Sequence, residues 1–113
     1  MPSVFPETIT RLPEAAVPIA GVRAWLSQSD DHQIVFMEFD REVVVPPHSH
    51  GAQWAVVVAG RIELTIGGAP RVYGAGDSYF IPAGVEHSAR VSAGYADATF
   101  FADRDRYAAK GTR

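Results

Sequence analysis

From Arg61 to Ile66 the side chains alternate strictly: Ile62, Leu64 and Ile66 share one face, and Arg61, Glu63 and Thr65 the other. A repeat of two is the period of a strand with one buried face. Gly67-Gly68, which follows, is a two-residue hairpin signal. The run Ala55–Ala59 (Ala-Val-Val-Val-Ala) is short and wholly apolar, as a strand buried on both faces would be. Residues 22–28 (VRAWLSQ) and 33–39 (QIVFMEF) are two further strands about a Ser-Asp-Asp turn. Later strands are predicted in 70–77, on either side of a turn at Pro82–Gly84, and in 98–103. Almost nowhere does a helical period persist, beyond one turn expected at residues 13–17 (PEAAV) before Pro18. Many short strands punctuated by glycine and proline predict an all-β domain: a sandwich, barrel or jelly roll.

The first 20 residues differ in kind. Four prolines (Pro2, Pro6, Pro13, Pro18) interrupt Val4, Phe5, Ile9, Leu12, Val17 and Ile19, so an extended arm is predicted, laid along a sheet edge of its own or a neighbouring subunit. That apolar arm leads us to expect a homodimer. The organisation predicted is an arm over 1–20, one β-domain over 21–103 and a polar tail over 104–113. At 113 residues the chain suits one domain with a real core. A net charge of −3 without a basic cluster argues against nucleic acid or an anionic membrane as partner. No apolar run has the length of a membrane span and no signal-peptide core is evident, so a cytoplasmic location is expected. With no cysteine, a metal site here must use nitrogen and oxygen donors.

The candidate chemistry lies in Pro46–Gly60. His48 and His50 are two apart, which in an extended strand puts both imidazoles on one face. Paired imidazoles make a poor apolar surface and a good metal clamp. Gln53 follows within reach, and His87 stands beyond the Pro82–Gly84 turn. By alternation Ala55 and Val57 share the face of Gln53, and Trp54 points away, towards sheet packing or a subunit interface. Tyr79 and Ile81 share one face and Ser78 and Phe80 the other; alternation alone does not say which pair faces inward. His32, beside a turn, reads as structural, and Glu38 reads as solvent-facing or as a buried acid.

These positions resemble the two motifs of the cupin family. His48-x-His50, Gln53 and Gly60, with six residues between the last two, match the first. Gly76, Pro82, Gly84 and His87 match the second in register, and fifteen residues separate Gly60 from Gly76. Three positions depart from the pattern: Gln53 stands three residues after His50 where the family usually has a more distant Glu, Val91 replaces an Asn, and no glycine opens the first motif. The resemblance implies an antiparallel double-stranded β-helix, or jelly-roll barrel, and a divalent transition metal on His48, His50, Gln53 and His87. Three imidazoles and an amide leave the ion its full charge, which favours an anionic ligand. Such donors suit Zn, Ni, Fe or Cu more than Mn. The function implied is a small metal-dependent enzyme (isomerase, lyase, cyclase or dioxygenase type) acting on a small anionic or enolisable molecule; the alternative is a non-catalytic ligand-binding or sensor module.

Overall fold

The structure is a computed structural model that describes residues 2–111. Its elements run α1 (Glu7–Thr10), β1 (Val22–Gln28), β2 (Gln33–Phe39), β3 (Val43–His48), β4 (Gln53–Ala59), β5 (Arg61–Ile66), β6 (Ala69–Gly74), β7 (Ser78–Ile81), β8 (His87–Val91) and β9 (Ala96–Phe101). They form a five-stranded sheet in the order β1-β2-β9-β4-β7 and a four-stranded sheet in the order β3-β8-β5-β6, with every pairing antiparallel. Sequence neighbours repeatedly fall in different sheets, which is the jelly-roll arrangement expected from the motifs. No helix among the described residues is long and apolar enough to cross a membrane.

Alternation decides what each strand buries. On β5, Ile62 and Leu64 enter the core and Arg61 and Glu63 face out. The β5–β6 turn places Gly67 at φ 55° and Gly68 at φ 84°. This pair of positive φ values matches the right-handed twist of the flanking strands and suits glycine. On β7 the inward pair is Tyr79 and Ile81, while Phe80 is exposed.

The arm folds back on its own sheet. Phe5 packs edge-on against Trp25 at 6.0 Å and Phe36 at 5.6 Å, covering the outer face of β1 and β2. The helical turn predicted at residues 13–17 is absent, and the turn that forms is α1, directly after Pro6. At Pro13–Ala15 the edge of β1 competes for the backbone: Ala15 N–H donates to Ala24 O and Leu26 N–H to Pro13 O. Strand-like pairing satisfies these groups where a single proline-bounded helical turn leaves most of them open. The polar tail has no strand among its described residues, yet an Ala15–Ala109 bridge ties it to the arm and a hydrogen bond from Tyr107 N–H to the Gln33 side chain ties it to β2. Removing the arm's anchor, Phe5→Ala, is expected to cost about 3 kcal/mol, read from urea denaturation, with the β circular-dichroism signature retained.

Candidate metal centre

Three chain segments bring the histidines together. β3 pairs with β8 in regular register from Val43 to Val45, then shifts so that His48 lies opposite His87. The shift falls at Pro46 and Pro47, which have no N–H to give the ladder, so a bulge forms there. His50 follows in the loop before β4, and its carbonyl accepts from Gly84 N–H at 2.9 Å, tying this loop to the Pro82–Gly84 turn. The rings converge: centroids are 4.2 Å apart for His48–His87, 4.8 Å for His50–His87 and 5.3 Å for His48–His50.

Protonation follows from the outer hydrogen bonds. Each Nδ1 stands against a carbonyl: His48 on Pro46 at 3.0 Å, His50 on Gly51 at 2.8 Å and His87 on Val85 at 3.0 Å. A carbonyl only accepts, so each Nδ1 carries a proton, and in the neutral ring Nε2 is then the nitrogen with the free lone pair. The three candidate ligand atoms lie within 4.8 Å of one another. His87 Nε2 is buried and has no hydrogen-bond partner, an arrangement that costs free energy unless something binds there. Neutral rings, aligned from behind by carbonyls, are the donors a divalent ion requires. Burial lowers the pKa of both His50 and His87, with the Arg106 charge adding to the effect, so both favour the neutral form.

A clasp holds the His50 loop. Gly51 N–H donates to Asp103 Oδ2 at 2.8 Å, and Ala102 N–H donates to Ala52 O at 2.8 Å. A Cβ on Gly51 would lie 2.4 Å from Asp103 Oδ1, so this glycine permits the close approach. Asp103→Ala is expected to loosen the loop and weaken Zn(II) binding by roughly tenfold, within the range for partners that orient metal ligands. Calorimetric titration checks this, with the melting temperature as control for a general loss of fold.

His48, His50, Gln53 and His87 all line one cavity of about 110 Å³. Its walls include Ile62, Leu64, Ile81 and Val91, with Tyr79, Tyr95 and Asp97 also contributing. Arg106 closes the histidine end and lines the adjoining surface pocket with His48 and His50. Its guanidinium lies 4.5 Å from the Tyr107 ring centre and 5.6 Å from that of Phe101; its Nε is buried without a partner and no carboxylate pairs with it among the described residues. The sequence reading missed Arg106, which looks like one charge among several in a polar tail. It also missed Asp97, whose inward parity with Thr99 and Phe101 was the available signal. The remaining candidates lie elsewhere. His32 stacks on Phe100 at 4.6 Å, Glu38 accepts from Ser3 Oγ at 2.8 Å beneath the arm, and Trp54 is exposed.

Comparison with known proteins places this arrangement. No curated protein sequence matches the chain. Among solved structures, an RmlC-like cupin from Shewanella frigidimarina is 26% identical, with TM-score 0.72 over 84% of this chain and 88% of that one. KdgF from a Halomonas species is 26% identical, with TM-score 0.68 over 80% and 87%. A mutant of the Bacillus subtilis oxalate decarboxylase OxdC shares the fold at 23% identity, with TM-score 0.67 over 82% of this chain and 28% of that one. Another structure of that decarboxylase is described by its Mn(II) centres. The cupin-domain family model matches residues 35–102, which span both histidine segments, and the chain belongs to the cupin family.

Proposed function

We propose that His48, His50 and His87 hold one divalent transition-metal ion through Nε2, with Gln53 as a further oxygen ligand, and that a small anionic or enolisable molecule reacts at this centre. The observation that carries the reading is the unpartnered, buried Nε2 of His87 beside the Nε2 atoms of His48 and His50, all three rings being held at Nδ1 by backbone carbonyls. A bound ion supplies Lewis acidity towards an oxygen of the reactant. The protein's own groups do the rest. Arg106, unpaired at the same end, offers donors to a carboxylate and so favours an anion. The apolar walls exclude water and strengthen that attraction. Tyr79 provides a hydroxyl group on the cavity wall. Nitrogen-rich donors favour Zn, Ni, Fe or Cu, whereas the Mn(II) of the oxalate decarboxylase makes manganese the competitor to test.

Elemental analysis of the purified protein, followed by titration with Zn(II), Ni(II), Fe(II) and Mn(II), tests the centre; one tightly bound ion per chain is expected. Catalysis is separated from simple binding by incubating the loaded protein with small 2-oxo acids in D₂O and following exchange of the C3 protons, next to the ketone, by NMR. Exchange lost on removing the metal supports an enzyme. Saturable binding without turnover of any tested acid supports a binding module.

A further inference from the structure

The cavity has a second polar end that metal binding does not use. β4 and β9 are in register there: Gln53 lies opposite Phe101, Ala55 opposite Thr99 and Val57 opposite Asp97. Asp97 is therefore four residues along β9 from the level of Gln53, a rise of about 13 Å. It is 4% exposed. Tyr95 Oη donates to its Oδ2 at 2.6 Å and Thr99 Oγ1 to its Oδ1 at 3.0 Å, and the Tyr79 hydroxyl is 3.4 Å from that of Tyr95. No cation pairs with it among the described residues. The Tyr79 hydroxyl also acts on this carboxylate, and together these donors still fill only part of a carboxylate's accepting capacity, about four lone-pair sites. Burial raises its pKa to about 6, so at neutral pH it remains mainly an acceptor.

We propose that Asp97 forms an inner subsite that accepts a hydrogen bond from a hydroxyl at the far end of the ligand. This rests on the anionic reading of the histidine end. The ligand class is then an unbranched carboxylate with a distal hydroxyl: the polar ends are far apart, the volume is small, and Ile62, Leu64, Ile81 and Val91 line the space between. A site built to pair a hydroxyl rejects the analogue lacking it, because its own polar groups are left unmatched.

Protein loaded with Co(II), whose visible spectrum reports its ligands, would be titrated with acetate, hexanoate and 6-hydroxyhexanoate. Acetate reaches only the metal end. 6-Hydroxyhexanoate is expected to bind at least roughly tenfold more tightly than hexanoate, and Asp97→Asn to shrink that advantage while leaving the acetate response intact. Equal affinity of the two six-carbon acids in the unaltered protein overturns the inner subsite, whether or not the variant folds. Silence towards all three acids overturns the anionic reading and the subsite together, whereas an acetate response with equal six-carbon affinities leaves the former standing.

Discussion

The double substitution His48→Ala, His50→Ala is expected to abolish stoichiometric metal binding while leaving the barrel folded. One imidazole and a neutral amide would remain, a donor set without charge. Loss of a partner that merely orients a ligand costs 10- to 100-fold, so losing two direct ligands should cost roughly 10³-fold or more. Equilibrium dialysis with Zn(II) and elemental analysis measure this; an ion retained at one per chain would place the metal elsewhere. The fold should survive because neither ring is part of the main apolar cluster, and the β3 bulge comes from Pro46 and Pro47.

The pH dependence has a definite sign. Burial lowers the pKa of His50 and His87, so they remain neutral below the ordinary imidazole value, and metal retention should weaken only as pH falls below about 6. Without metal, the same groups take up protons in the unfolded chain first, so their contribution to stability is lost as pH falls. Asp97 runs the other way. Its pKa, raised by burial from 3.8 to about 6, means the folded protein binds that proton more tightly. Its contribution, on the order of 3 kcal/mol, is present below the unfolded value and lost as pH rises through about 6. The two trends oppose one another between pH 4 and 6.5. In the double-alanine protein the His50 contribution is gone, so stability from urea denaturation should fall more clearly with rising pH across that window.

The strands and the histidines were legible because each is set by local rules. Period-two alternation fixes which face of β5 is buried, and Gly67-Gly68 fixes its turn. The histidine spacing survives because the proline bulge and the Pro82–Gly84 turn hold it. What was not legible depends on contacts distant in sequence. Nothing near Arg106 marks it off from Arg104; it reaches the cavity because Tyr107 N–H bonds to the Gln33 side chain and carries the tail across the barrel mouth. Residues 13–17 have the composition for a helical turn, and only the open edge of β1 explains why they pair instead. The choice between Tyr79 and Phe80 needed the opposite strand, since both parities of β7 carry an aromatic residue.

Gln53→Glu is expected to tighten metal binding and weaken anion binding together. Gln53 lies on β4 opposite Ile81 and Phe101 and lines the cavity with the three histidines. The substitution keeps the shape of the side chain and replaces a neutral oxygen with an anionic one. Against a dication the new charge should raise Zn(II) affinity by roughly tenfold or more, since ligand charge sets the affinity of such sites. The same charge lowers the ion's Lewis acidity, so a bound water would ionise at higher pH and acetate would bind less tightly. It also places a carboxylate in the cavity that Arg106 closes, which further reduces the attraction for an anion. Without metal, the introduced carboxylate would be a partly buried charge and the melting temperature should fall, recovering when Zn(II) is added; Gln53→Ala should loosen the ion but leave it on three imidazoles. Titration of both variants with Zn(II) and then acetate, alongside melting curves with and without metal, separates a coordinating position from a packing one. Unchanged Zn(II) affinity in Gln53→Glu, with stability lost and not restored by the ion, would remove Gln53 from the ligand set and leave the three histidines as the protein's whole contribution.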